Sequence, residues 1–352
     1  MTLVADRVED LTPEWLTAAF RAGGHELVVT SVSSQRIGTG QMGTTYLLQL
    51  TYRGAQGPAS VVAKLPALDQ ALRVPVATGY AAEVGFYNHV ADTVSVRRPH
   101  CWYGAIADGS TAFTLLLEDA TPAVAGVQVD GCTVEQARAA IRNLVGLHAP
   151  RWSDPRLRDL AFLRRSGKEA ATFLGELLTA ATEGFIDRYS TSLTDQDAGT
   201  LRDAAQVTAA WEVARPEPFA VIHGDYRLDN LLFSPSGDDV IAVDWQGAAL
   251  GPPLRDVAFF LGTSLDPRDR RSVEEDLVAD YHEGLVGQGI SGYGADQCWG
   301  DYRIGQLHGP MVIVLGCMYA SGERSGDSDA MFLTMVGRSC AAIRELRSID
   351  LV

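Results

Sequence analysis

Apolar positions recur at helical spacing from the start of the chain. After Thr12-Pro13-Glu14, the residues Trp15, Leu16, Ala19 and Phe20 share one face, and Gly23-Gly24 closes the run. A hydroxyl before a proline and an acid in the first turn are helix-start chemistry. The pattern then changes. Residues 27–37, 44–52 and 61–64 are rich in β-branched, aromatic and leucine side chains and read as three strands. Tyr80, Val84 and Tyr87 return to helical spacing, and Asp108-Gly109 joins two further strands over 99–107 and 110–117. Beyond Gly131 the helical period dominates. Residues 134–148 place Ile141, Leu144, Val145 and His148 on one face, and further helices are predicted over 168–189, 197–213, 272–287, 295–321 and 329–346. Pro310 should kink or split the 295–321 helix and leave a carbonyl unpaired nearby. One stretch interrupts the helices. The apolar runs 219–222 and 240–243 flank the turn Ser234-Pro235-Ser236-Gly237 and read as a hairpin with polar ends.

Composition narrows the class. A chain of 352 residues, 46% hydrophobic and 21% charged, is globular and long enough for a substantial core. Lys plus Arg number 29 against 44 Asp plus Glu, and the net charge of −15 argues against a nucleic-acid or anionic-membrane partner. It is compatible with a cationic substrate. The five cysteines are scattered, odd in number and without a C-x-x-C pair, which argues against a disulfide framework or zinc site. Asp6, Glu9 and Asp10 stand where a signal peptide needs positive charge, and the apolar run 311–320 is too short to span a bilayer. The expectation is a cytoplasmic protein with no membrane partner. Oligomeric state is not legible.

The polar ends of the hairpin carry the candidate chemistry. His223-Gly224-Asp225 follows one apolar run, Asn230 comes five positions after Asp225, and Asp244-Trp245-Gln246 follows the other run. Two carboxylates and an amide oxygen with no Cys or His close by suit a hard cation such as magnesium. The alternative is a turn-rich hairpin whose Asp and Asn residues cap backbone groups. Gly38-Thr39-Gly40-Gln41-Met42-Gly43 spells G-x-G-x-x-G, which by itself is a weak signal. A dinucleotide-binding fold needs a helix after the glycines and an acid about twenty residues on. A strand follows instead, and the region around 60–65 is apolar apart from Lys64. Gly167-Lys168 is followed by Glu169, so no P-loop is present. Lys64 ends an apolar strand, where its amine needs an anion. Glu83, on the helix that follows, is the candidate partner, and solvated side chains at both positions are the alternative.

In this order the parts resemble the protein-kinase-like small-molecule phosphotransferases: the aminoglycoside phosphotransferase and choline kinase superfamily, including ecdysteroid-kinase-like members. Asp244-Trp245-Gln246 stands in place of D-F-G, and no A-P-E segment follows. The resemblance implies an α+β bilobal fold: a β-rich nucleotide-binding N-lobe over 1–117 and a mainly helical catalytic and acceptor-binding C-lobe over 118–352. It implies ATP and Mg2+ as cofactors and a small-molecule hydroxyl as acceptor. Asp225 would orient or deprotonate that hydroxyl, and Arg227 would stabilise charge on the transferred group. Asn230 and Asp244 would hold magnesium. Gly38, Gly40, Gly43, Lys64 and Glu83 would serve the phosphates, the hinge backbone at Leu117 and Glu118 would meet adenine, and Asp256 would brace the catalytic loop. The acceptor would lie against residues 295–327, with Tyr302, Gln306 and Asp327 as candidates beside Trp299 and Glu323. His148 reads as a packed helix-end histidine. A nucleotide-binding pseudokinase acting as an interaction module is the alternative from another class.

Overall fold

Period-2 alternation builds the first sheet. In Ser60–Pro66, Val61, Ala63 and Leu65 are buried while Ser60, Val62 and Lys64 are half-exposed, so one face of the strand enters a core and the other carries the lysine. The computed structural model describes residues 3–38, 42–54, 57–163, 167–214, 217–319 and 326–352. Two units account for the chain. One takes in Met1–Asp92, Arg98–Thr121 and Asp244–Ala248, and the other Thr93–Arg97, Pro122–Val243 and Ala249–Val352.

The first unit opens with α1 (Pro13–Ala22), capped by the Thr12 hydroxyl, which accepts the Trp15 N–H. Among its described residues it holds a five-stranded antiparallel sheet of β1 (Val29–Ile37), β2 (Gly43–Tyr52), β3 (Ser60–Pro66), β4 (Cys101–Ile106) and β5 (Phe113–Glu118). The strand order is β1-β2-β3-β5-β4. Leu48, Leu50, Val61, Ala63, Leu65 and Leu116 pack with Leu16, Ala19 and Phe20 of α1 on one side. Between β3 and β4 runs α2 (Arg73–Gly85), extended by a π-helical turn at Phe86–Val90.

The second unit is mainly helical. It contains β6 (Val124–Ala125), α3 (Val134–His148), α4 (Lys168–Arg188), α5 (Asp195–Ala214), β7 (Ala220–Ile222), β8 (Leu231–Phe233), β9 (Val240–Ala242) and β10 (Ala249–Gly251). There follow α6 (Leu254–Ser264), α7 (Pro267–Gly287), α8 (Ala295–Gly305), α9 (His308–Tyr319) and α10 (Gly326–Glu345). The architecture is thus α+β with a β-rich unit and a mainly helical one, as expected. Two local expectations change. The Ser234–Gly237 turn does close a hairpin, but between β8 and β9. The 219–222 run contributes β7, which pairs with β10, because the 3-10 turn at Leu228–Asn230 separates it from β8. The 295–321 helix is split before the proline, at Gln306 and Leu307. Pro310 therefore sits in the first turn of α9, where a missing N–H needs no partner. All of α6 is buried, so it shows no amphipathic stripe to read.

Candidate functional site

In the first unit a charge cluster forms on the face of β3 turned from the apolar core. Lys64 Nζ donates to Glu83 Oε1 at 2.5 Å and to Asp244 Oδ1 at 3.1 Å. Glu83 on α2 is fully buried. Its carboxylate also accepts from the Trp245 backbone N–H and the Gln246 side-chain amide, both at 3.4 Å, so one side chain positions the lysine and the segment after Asp244. Burial acts to lower the Lys64 pKa, but Asp244 and Glu83 outweigh it and hold the ammonium above the ordinary lysine value. The lysine is a fixed cation at neutral pH.

The surroundings hold this cluster in place. Phe86 stacks on Trp245 with ring centroids 3.6 Å apart and planes 6° from parallel. Tyr80 of α2 accepts the Ala67 N–H at 3.0 Å and donates to the Met42 carbonyl, which ties the helix to β3 and to the glycine turn. Asp244 has φ of 68°, a left-handed backbone that aspartate tolerates better than branched or bulky residues. In the glycine turn, Gly38 has φ of 69°, and a Cβ at Gly43 would come within 2.7 Å of the Leu65 carbonyl oxygen. Gly40 lies outside the described residues. At the hinge-like strand end, Leu117 is buried and the Glu118 N–H already donates to the His100 carbonyl at 2.8 Å. The Glu118 carboxylate accepts the His100 N–H at 3.0 Å.

In the second unit the segment after β7 is held mainly through its backbone. The His223 and Gly224 N–H groups donate to the two Asp256 carboxylate oxygens at 2.7 and 2.9 Å. Asp256 is fully buried on α6, and His148 Nε2 lies 3.2 Å from the same carboxylate while its Nδ1 lies 2.8 Å from the Tyr281 hydroxyl. Burial alone would raise the Asp256 pKa, but His148 and His223 outweigh it and hold it below the ordinary value. Asp256 and His148 therefore occupy the bracing and packing positions read from the sequence.

Asp225 follows this brace. Asn230 Nδ2 donates to the Asp225 carbonyl and to Asp225 Oδ2, both at 2.9 Å. The Asn230 amide nitrogen therefore faces Asp225, and its Oδ1 is the atom that could ligate a cation. Arg227 Nε is 3.1 Å from Asp225 Oδ1. Its Nη1 pairs with Asp229 and lies 3.3 Å from the Met331 sulfur. Burial would lower the Arg227 pKa, and Asp225 with Asp229 reverses that, so the guanidinium is held by two carboxylates. Gln128, a residue sequence reasoning passed over, accepts the Leu228 N–H at 2.9 Å, donates to Thr263 O at 2.9 Å and gives its own N–H to Asp229 at 3.1 Å. A buried glutamine in a loop has no spacing signature that could have singled it out.

The expected acceptor residues behave differently from one another. Tyr302 is fully buried and donates to Glu274 at 2.7 Å, beside the Arg270–Glu274 ion pair. Trp299 stacks on it with centroids 5.2 Å apart. Gln306 is 1% exposed, packed where a Cβ on Gly262 would meet its Oε1 at 2.3 Å. Both side chains are in the interior of the second unit, where helix–helix packing claims aromatic and amide groups at this spacing. Asp327 is exposed in the first turn of α10, one helical turn ahead of Met331 on the Arg227 side. Glu323 lies outside the described residues.

Asp244 in the first unit and Asn230 in the second each carry a side-chain oxygen of the kind a hard cation takes. Among the described residues no group of three or more His, Cys, Asp or Glu is placed to hold a metal ion. No helix among the described residues is long and apolar enough to cross a membrane.

Known proteins were compared with this chain. A stretch of 46 residues is 48% identical to acyl-CoA dehydrogenase family member 10 of Mus musculus, covering 13% of this chain and 4% of that protein. A stretch of 66 residues is 38% identical to acyl-CoA dehydrogenase family member 11 of Pongo abelii, covering 18% and 8%. The matched stretches thus span only a small fraction of those relatives. Solved structures match over nearly the whole chain. Choline kinase from Cryptosporidium parvum Iowa II superposes with a TM-score of 0.55 at 8% identity, covering 91% of each chain. Plasmodium vivax ethanolamine kinase gives 0.54 at 13% identity, covering 90% of this chain and 83% of that one. The GDP complex of wild-type aminoglycoside 2′-phosphotransferase-IIIa gives 0.54 at 15%, covering 94% and 98%. These likenesses establish a kinase-like fold. The pattern that defines the phosphotransferase enzyme family matches residues 34–294, which is most of the chain, and the protein belongs to that family.

Proposed function

We propose that this protein transfers the γ-phosphoryl group of ATP, with magnesium, to a hydroxyl of a small molecule. The observation that carries the reading is Lys64 of β3, a fixed cation held between buried Glu83 and Asp244. A cation so placed is suited to nucleotide phosphates. Gly38, Gly40 and Gly43 would bring backbone N–H groups to the same phosphates. Asn230 and Asp244 would hold magnesium, which neutralises charge on the phosphates when bound.

Asp225 orients the acceptor hydroxyl and takes its proton as the oxygen–phosphorus bond forms and the bond to the β-phosphate breaks, releasing ADP. Arg227, held beside Asp225, orients that carboxylate, and its charge acts on the transferred group. The acceptor is a small alcohol, with aminoglycosides, amino sugars, choline-like amines, steroid-like alcohols and natural-product alcohols as the classes to try. The surplus of acidic residues favours an amine-bearing one, and exposed Asp327 is a group that such an acceptor could meet.

The test is a screen of those classes with ATP or GTP and magnesium, following nucleotide consumption and identifying products by mass spectrometry. The expected result is an acceptor that gains one phosphoryl group, with no product from Asp225→Ala. Nucleotide binding without any phosphorylated product would favour the pseudokinase reading.

A further inference from the structure

The brace around Asp225 has a second side that the charged groups do not supply. Gly224 has φ of 78°, and Asp256 holds its N–H. The peptide that joins Gly224 to Asp225 is gripped at both ends. Its carbonyl accepts from His308 Nε2 at 2.9 Å, and its N–H donates to His223 Nδ1 at 3.3 Å. His223 Nε2 in turn faces the Val243 carbonyl at 3.0 Å. A ring nitrogen facing a carbonyl must carry the proton, so both imidazoles are protonated at Nε2. His223 uses its remaining lone pair on the Asp225 N–H. His308 Nδ1 is buried with no hydrogen-bond partner among the described residues.

That orphan nitrogen is informative. A buried unsatisfied acceptor is unfavourable. Phe259, edge-on at 5.5 Å, and Trp211 at 6.3 Å would accommodate an apolar ring at this position equally well. What an apolar ring lacks is the donor to Gly224. The placement of His308 is also rigid. It opens α9 immediately after the break from α8. A Cβ on Gly305 would come within 2.8 Å of the Leu254 carbonyl oxygen, and one on Gly309 within 2.2 Å of the Ser339 hydroxyl oxygen. The backbones on both sides of the break are therefore packed against α6 and α10 too closely for the ring to drift.

We propose that His308 is a positioning residue for phosphoryl transfer. Its Nε2–H sets the plane of the Gly224–Asp225 peptide and thereby the direction in which Asp225 presents its carboxylate to the acceptor hydroxyl. The inference rests on the function proposed above. Asp256 acts on residues 223 and 224 from the other side, so the carbonyl adjoining Asp225 depends on His308.

Three variants test it. His308→Phe keeps a ring and removes the donor, His308→Asn carries an amide too short to reach Gly224, and His308→Gln places an amide donor near the original Nε2. With the acceptor found in the screen, the Phe and Asn variants should lose about 10²-fold in kcat, the scale of an ångström-level misplacement. KM for the acceptor and the nucleotide dissociation constant should stay within about twofold, and the Gln variant should recover most of the loss. Wild-type kcat in the Phe and Asn variants would overturn the proposal. So would an equal loss in all three that tracks their melting temperatures. Amide hydrogen exchange at Asp225 separates this inference from the proposed function. Faster exchange in the Phe and Asn variants but not in Gln supports the His308 clamp even if wild-type protein phosphorylates nothing. Unchanged exchange in all three would sink it.

Discussion

The Lys64 cluster and the Asp225 loop are both polar assemblies in a largely apolar protein, yet they are held by opposite means. Around Lys64 the members are charged side chains that hold one another: an ammonium between two carboxylates, with buried Glu83 as the pivot. Around Asp225 the backbone is held from outside by side chains that do not themselves approach the chemistry: Asp256, His223 and His308. An ion-pair cluster fixes where charge sits and tolerates small rotations. Hydrogen bonds to successive peptide groups fix direction, which a carboxylate that must meet one hydroxyl requires. The first arrangement suits the binding of a polyanion, and the second suits proton transfer.

Four measurements test this contrast. The largest effect is expected at Asp225 itself. Asp225→Ala should reduce turnover by about 10²–10⁴-fold, the usual range for losing a general base, while calorimetry on the same preparation finds nucleotide affinity unchanged. Retained turnover would remove Asp225 from the proton-transfer role. Next comes the charged cluster. Lys64→Met leaves Glu83 buried without its cation and should lower stability by about 3–5 kcal/mol in denaturant unfolding. Lys64→Met combined with Glu83→Leu should be less destabilised than the sum of the singles. Additive losses would mean the pair is not acting as a unit.

The two assemblies should also fail at opposite ends of the pH scale. Lys64 has its folded pKa above the ordinary 10.5, so its contribution is fully present below that value and is lost as pH rises through the folded pKa. For His308, burial and then the nearby Arg255 charge lower the pKa from 6.5, while the hydrogen bond to the Gly224 carbonyl, Asp256 and Glu212 act in the other direction more weakly. The unfolded chain takes up that proton first. The neutral ring therefore favours folding fully above about 6.5 and progressively less as pH falls below it, with a slope of up to about 1.4 kcal/mol per pH unit. Asp256, depressed below 3.8, adds a further loss as pH falls through its folded value. Urea titrations from pH 4.5 to 8 should show a shallower acid limb in His308→Gln than in wild type. Identical limbs would contradict a neutral buried His308.

The smallest effect separates packing from recognition. Tyr302→Phe removes one hydrogen bond to Glu274 and should cost about 1 kcal/mol in stability with acceptor kinetics unchanged. Asp327→Asn, at an exposed position, should leave the melting temperature alone and raise KM severalfold for an amine-bearing acceptor only. An acceptor KM that responds to Tyr302 and not to Asp327 would reverse the two assignments.

How much of this could be read in advance follows from the same contrast. Lys64 and Glu83 were legible because a lysine in an apolar strand and a glutamate on the next helix are physically expensive unless they meet, and Lys64 Nζ does lie 2.5 Å from Glu83. Asp225, Asn230 and Asp244 stood out as candidates through their spacing, and of these Asn230 reaches Asp225. His308 and Gln128 were not. A histidine at a helix start and a glutamine in a loop are ordinary in any sequence, and their partners are backbone atoms, which carry no residue identity to match. The burial of Tyr302 and Gln306 was hidden for a related reason. Helical spacing says that they share a face, but which neighbour covers that face depends on how α7 and α10 pack.

Most elements and the Lys64–Glu83 pair were therefore readable in advance, because periodicity and the penalty for burying an isolated charge act locally or admit few partners. Packing settled which strands close the 231–242 hairpin, which side of α8 is buried, and which donor holds the carbonyl before Asp225. Those outcomes depend on close packing between segments far apart in the chain, where many arrangements satisfy the same hydrophobic pattern and small differences in shape select one.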